Sequence, residues 1–140
     1  YGVVGLSLAL LLKVSLVAAL PVAMAPAILV AAHAASRLMP VYAIAALPYV
    51  RADERSKTRP VSRGVSWAGG VAATVFGLAP LALVPTVVWG ALLPVGLGSL
   101  WLGRLYRRRL GGYTGDALGA LQQVSELVFY LGAAALCTYT

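Results

Sequence analysis

The chain has 140 residues, 61% of them hydrophobic and only 11% charged, and its mean hydropathy is +0.88. A soluble domain carries about 45–50% apolar and about 25% charged residues. This composition therefore excludes a soluble enzyme of this size, which would lack the polar side chains to cover its surface, and it excludes intrinsic disorder. The net charge is +7, from eleven Lys and Arg against four Asp and Glu. In a soluble protein that balance would suggest nucleic acid. Here the charges fall between apolar runs, the pattern of loops held on the cytoplasmic side of a membrane, so the expected partner is the lipid bilayer and no nucleic acid. A single cysteine, Cys137, and a single histidine, His33, make neither an internal disulfide nor a thiolate or histidine metal cluster.

A spanning helix needs about 20 mainly apolar residues. The first candidate runs from Val3 to Leu20, is interrupted only by Lys13, and ends at Pro21. Ala23-Met24-Ala25 resembles a signal-peptide cleavage site, but Lys13 lies inside the run and no basic region precedes it, which favours a span. The second candidate runs from Pro26 to about Leu47 and contains His33, Ser36 and Arg37. Pro40 is expected to kink it, and Tyr49 after Pro48 suits an interfacial anchor. A polar loop follows, with Arg51, Asp53, Glu54, Arg55, Lys57, Arg59 and Arg63. The apolar stretch from Val65 to about Leu102 is too long for one span and fits two short ones, with the break at Pro80 and Pro85. Pro94 is expected to bend the fourth helix, where Gly90, Gly96 and Gly98 would allow close packing. A second polar segment carries Arg104, Arg107, Arg108 and Arg109, then Gly111-Gly112-Tyr113-Thr114-Gly115-Asp116. The last span runs from Ala117 to about Tyr139, with Thr114 and Asp116 as helix N-cap candidates.

The pattern predicts an all-α, multi-pass transmembrane helix bundle of about five spans, forming one integral-membrane domain. Two spans separate the basic loops, so both can face the cytoplasm. The turn between Pro21 and Pro26 and the C-terminus then face outward, and the edge at Tyr1 is cytoplasmic.

Lys13 and Arg37 each lie twelve residues from Ala25. A hairpin centred there places both about 18 Å along their helices from the turn. An isolated cation at such depth costs a few kcal/mol, so an anionic partner is expected. Glu126 supplies one candidate, on a helical face shared with Gly115, Gly119 and Gln122, whose small residues permit close approach. Three readings stand: a structural ion pair of Glu126 with Lys13 or Arg37, a polar cavity in which Lys13 and Arg37 face the phosphate of an anionic substrate, or cations that snorkel to the membrane surface. His33 reads as a packed, hydrogen-bonded histidine. The arginines from Arg104 to Arg109 read as topology determinants and lipid-headgroup contacts. Ser56-Lys57 offers a hydroxyl and a point charge to a phosphate. In the glycine-rich segment, N–H groups at the helix start suit a phosphate, the Asp116 carboxylate suits Mg²⁺ beside it, and a plain capped turn is the third possibility.

The run from Gly111 to Ala120, with Gln122-Gln123 and Glu126-Leu127, resembles the C-terminal signature of the cobalamin synthase family, the adenosylcobinamide-GDP ribazoletransferases. Ser36-Arg37, Leu47-Pro48-Tyr49, Arg51 and Ser56-Lys57 resemble its central region. Tyr1-Gly2 with Leu11-Leu12-Lys13 resembles the segment before it. The resemblance covers nearly the whole chain, and the glycine-rich signature is its specific part. It implies a multi-pass enzyme of the bacterial inner membrane, in the last steps of cobalamin synthesis. Such an enzyme transfers the adenosylcobinamide phosphate group from adenosylcobinamide-GDP to α-ribazole or its 5′-phosphate, releases GMP and uses Mg²⁺. On this resemblance Asp116 is the catalytic and metal-binding candidate, and Lys13, Arg37, Ser56, Lys57, Thr114 and Gly115 are substrate contacts. Glu126 and Gln122 support them. Members of the family also carry an acidic Asp-Gly-x-x-Asp type motif in a longer N-terminal part. This sequence has only Asp53, Glu54, Asp116 and Glu126, so it is expected to be the C-terminal part of such an enzyme and inactive alone. The competing classes are a transporter or channel subunit, with the same charges lining an anion pathway, and a purely structural membrane subunit. Anion flux without chemistry would single out the first.

Overall fold

The structure, a computed structural model, describes residues 2–50 and 64–138. Its helices are α1 (Gly2–Ala18), α2 (Ala25–Ala46), α3 (Trp67–Leu78), α4 (Leu92–Leu110) and α5 (Gly115–Thr138). Two 3-10 segments, Ala79–Leu83 and Thr86–Ala91, join α3 to α4.

Local chemistry explains most of these boundaries. Pro26 stands in the first turn of α2, where no backbone donor is needed, and Pro48 follows the extended Leu47 at its end. The helix runs unbroken through Pro40. The Ser66 hydroxyl caps α3 by accepting from the Gly69 N–H at 3.1 Å. The expected break lies where Pro80 and Pro85 stand, with Val84 extended between the two 3-10 segments. The Trp89 indole N–H donates to the Leu81 carbonyl at 2.9 Å, as a second donor beside the Val84 N–H at 3.2 Å, and ties the two 3-10 segments together. Pro94 occupies the first turn of α4, so it opens that helix instead of bending its middle.

The core forms where α2 and α5 cross. Ile28, Ala31, Ala32 and Ala35 of α2 and Phe129, Tyr130 and Ala133 of α5 are buried at helical spacing. Val88, Ala91 and Val95 close the cluster from the other side, with Leu81 and Val84. Alanines on these faces let the backbones approach, which is how helices associate when lipid supplies no hydrophobic drive. Gly132 is the tightest such point between helices: a Cβ there would lie 2.9 Å from the Ala91 Cβ. The glycines expected to serve this purpose mostly do not. Gly96, Gly98, Gly115 and Gly119 face open space, with nothing within 4 Å of a Cβ built on them. The hydroxyls of Ser99 and Ser125 instead tie α4 to α5 at 3.1 Å. The Tyr42 and Thr74 hydroxyls join α2 to α3 at 2.9 Å.

Three helical stretches are long and apolar enough to cross a membrane, Ala25–Ala46, Thr86–Leu110 and Gly115–Thr138, while Gly2–Ala18 and Trp67–Leu83 are shorter apolar helices. Leu6, Leu11, Phe76, Leu93, Leu97 and Trp101 are exposed on the outside. That is unfavourable in water and natural in lipid. The architecture is a helical membrane bundle.

Candidate functional site

At one end of the bundle the chain leaving α4 meets the chain leaving α2. Gly111 ends α4 in the left-handed region, φ 80°, a C-terminal stop that glycine adopts without a Cβ penalty. Gly112 then lies against the Pro48 carbonyl and Val50 so closely that any side chain would collide. This approach allows two bonds, Tyr113 N–H to the Pro48 carbonyl at 3.0 Å and Val50 N–H to the Tyr113 carbonyl at 2.9 Å. They make an isolated parallel bridge between Tyr49 and Tyr113, whose rings lie 5.4 Å apart between centroids. Burial, and secondarily the neighbouring Tyr49, holds the Tyr113 phenol above its ordinary 10.0. The three glycines of the motif are thus partly explained by a backbone crossing, with no ligand needed to account for Gly111 and Gly112.

Thr114 caps α5: its hydroxyl accepts from the Ala117 N–H at 3.2 Å, and its carbonyl accepts the first helical bond, from Leu118, at 3.1 Å. Asp116 is therefore not the cap. It stands exposed in the first turn of α5, where the helix dipole favours a carboxylate. Arg107, Arg108 and Arg109 fill the last turn of α4, where the same physics favours cations. The bridge at Tyr113 places the ends from which both basic segments spring on one side of the bundle.

The second site lies deeper. Glu126, 2% exposed, takes Lys13 Nζ at 2.8 Å on Oε1, and the Tyr130 hydroxyl donates to the same oxygen at 2.9 Å. His33 Nδ1 is 3.8 Å from it. Lys13, His33, Arg37, Glu126 and Tyr130 line one open cavity of about 610 Å³, with Leu29 and Val30 in its walls. The structure thus brings Lys13, Arg37 and Glu126 together and gives the ion pair to Lys13. His33, one turn before Arg37 on α2, comes within 3.8 Å of the oxygen that Lys13 holds, and α1 packs on α5 more than on α2. His33 is not a packed core residue; its side chain is half exposed in the cavity. Sequence reasoning overlooked Tyr130, although its i+4 spacing from Glu126 is a legible sign of a pair on one helical face.

Asp116, Thr114 and Gly115 do not join this cluster. Ten residues of α5 separate Asp116 from Glu126, about 15 Å of rise. Gln122 lies one turn before Glu126 and is half-buried. Ser56 and Lys57 lie outside the described residues, as do Asp53 and Glu54. Among the described residues no group of three His, Cys, Asp or Glu side chains stands ready for a metal ion. Asp116 alone does not make a cation site, since Mg²⁺ seeks several oxygen ligands in near-octahedral geometry.

A family model described as cobalamin-5-phosphate synthase matches residues 1–134. The chain belongs to this family. Among curated relatives, the adenosylcobinamide-GDP ribazoletransferase of Leptothrix cholodnii is 42% identical over 74% of this chain and 42% of its own length. Proteins of that name from a Shewanella species (strain W3-18-1) and from Ralstonia pickettii are each 41% identical over 94% of this chain and 52% of their own. The chain spans about half the length of the curated relatives it matches. No solved structure matches it.

Proposed function

We propose that the protein to which this chain belongs is an adenosylcobinamide-GDP ribazoletransferase of the bacterial inner membrane. It transfers the adenosylcobinamide phosphate group to α-ribazole or α-ribazole 5′-phosphate and releases GMP. The family match supports the reading. The geometric observation that carries it is the cavity in which Lys13, His33 and Arg37 face a single carboxylate, Glu126. That excess of basic groups, beside a core that is otherwise largely apolar, suits a phosphorylated substrate.

In the transfer, a ribazole hydroxyl oxygen forms a bond to the cobinamide phosphorus and the bond from that phosphorus to the GMP oxygen breaks. Charge grows on the departing phosphate, so cations placed in advance lower the barrier. We assign Asp116 to orient the attacking hydroxyl, and Lys13, Arg37, Ser56 and Lys57 to hold phosphate oxygens, with Thr114 and Gly115 presenting the start of α5. The separation of Asp116 from Glu126, about 15 Å of helix rise, is too great for one diphosphate to touch both regions. Lys13 and Arg37 therefore serve a different anionic group from the one at Asp116. Glu126, held by Tyr130 and neighboured by Gln122, positions Lys13. The Mg²⁺ expected for this chemistry would neutralise phosphate charge; Asp116 would be one of its ligands and others are needed besides. Both basic loops face the cytoplasm in this reading, which the Tyr49–Tyr113 bridge supports by drawing them to one end.

The test is GMP release from membranes carrying the whole protein, with adenosylcobinamide-GDP, α-ribazole 5′-phosphate and Mg²⁺. Release that requires both ribazole and Mg²⁺ and collapses in Asp116→Asn is the expected result. Release unchanged by that substitution reduces Asp116 to a favourable charge at a helix start. No release from folded protein overturns the reading.

A further inference from the structure

A second cavity, of about 460 Å³, opens between α2, α4 and α5, away from the Lys13–Glu126 cluster. Its lining along α2, from Met39 to Leu47, is apolar apart from the Tyr42 hydroxyl, and along α4 it is small at Gly96, Ser99 and Gly103, beside Leu100. Leu121 of α5 contributes to its lining. The cavity exists because Gly96 and Gly103 leave open space where larger residues would fill it. The charged groups on it are Arg104 and Arg107, three residues apart and hence on one helical face. Among the described residues no carboxylate lines it. The Ser99 hydroxyl is already engaged with Ser125.

Length and charge together define what fits. From Gly96 to Arg107 the cleft follows α4 for about 16 Å, roughly half of the 30 Å hydrocarbon core of a bilayer. It is therefore one leaflet deep, apolar inside and doubly cationic at the end where α4 terminates. A water-soluble anion would leave the apolar length unused, and a neutral lipid would leave two guanidiniums without a partner. We propose that this cleft is a binding site for an anionic phospholipid, with one acyl chain between α2 and α4 and the phosphate between Arg104 and Arg107. Basic pockets between membrane helices bind anionic headgroups by this physics, and paired arginines present donors matched to phosphate oxygens. The site is independent of the transferase reading, since neither arginine belongs to the transfer machinery assigned above.

The test uses the whole protein in a neutral, lipid-free detergent, titrated with phosphatidylglycerol or phosphatidylcholine of identical acyl chains and read by native mass spectrometry. Two arginines near a membrane surface imply a preference for phosphatidylglycerol of about thirtyfold. Arg104→Gln with Arg107→Gln should remove the preference, while Arg108→Gln with Arg109→Gln, whose side chains do not line the cleft, should keep it. Gly96→Leu with Gly103→Leu, which fills the cleft without touching a charge, should abolish binding of both lipids. Equal affinity for the two lipids in the wild type overturns the proposal. So does a preference that falls equally in both arginine pairs, which would mean diffuse surface charge. Competition by glycerol phosphate as strong as by the whole lipid would make the site a free-anion seat and refute the lipid assignment. Displacement of phosphatidylglycerol by adenosylcobinamide-GDP, one for one, would give the cleft to the substrate and refute it equally.

Discussion

Lys13 and Glu126 share one ion pair but not one environment. The Glu126 side chain is 3% exposed and that of Lys13 29%. Removing the lysine strands a buried carboxylate, whereas removing the carboxylate leaves an amine that still reaches the open cavity. Lys13→Met should therefore cost about 3 kcal/mol and Glu126→Gln less, about 1–2 kcal/mol. The double variant should recover most of the loss. Denaturant unfolding of all three in detergent measures this, and equal single losses would contradict the asymmetry. Thr114 and Asp116 separate in the same manner. Thr114→Ala loses the cap of α5 and about 1 kcal/mol, while Asp116→Asn should leave stability within about 0.5 kcal/mol of wild type and remove transfer. At Tyr113 the phenol holds its proton more tightly when folded than its ordinary 10.0. Its contribution is complete below that pH and is lost as pH rises through the raised folded value. Thermal unfolding across that range should show stability falling with pH, and less so in Tyr113→Phe.

At the scale of elements, two glycines mark where backbones meet. Gly112→Ala drives a methyl into the Pro48 carbonyl, so the Tyr49–Tyr113 bridge must open. Gly132→Ala meets Ala91, whose Cβ would lie 2.9 Å away. Each should cost about 1–3 kcal/mol. The first should also free the loop end, seen as faster amide exchange at Val50 and Tyr113, and the second should loosen α5 from the Thr86–Ala91 segment. Ala substitution at Gly96 or Gly119, with open space around both, should do neither. The helices themselves were partly legible: apolar runs, proline punctuation and the Thr114 cap place α2 and α5 nearly where they stand, whereas α4 runs on to Leu110, past the end expected near Leu102, and carries the arginines of the expected polar segment in its last turns. The packing role of individual glycines was not, because a small residue looks the same in sequence whether it faces a neighbour or a void. The meeting of Lys13 and His33 at one Glu126 oxygen also escaped. It depends on α1 leaning on α5, a choice between helices that no spacing within one helix records.

For the whole molecule, the basic segments spring from the end that carries the Tyr49–Tyr113 bridge, and Thr138 lies at the far end of the 24-residue α5 that starts at Gly115. In a Cys137→Ser background, Arg108→Cys should react with an impermeant maleimide only from the cytoplasmic face, and Thr138→Cys only from the outer one. The opposite pattern would invert the topology. The sequence by itself determined the membrane class, the helical bundle, the break between α3 and α4 and the family. These rest on composition, local periodicity and a contiguous motif, each of which acts within a short stretch of chain. Only the tertiary structure decided that Lys13 rather than Arg37 takes Glu126, that His33 and Tyr130 join them, and that the cluster stands apart from Asp116. It also opened the cleft at Arg104 and Arg107. Those outcomes depend on which helix faces which, and in a membrane, where nearly every face is apolar, that choice is made by close packing and buried charge between segments far apart in the chain.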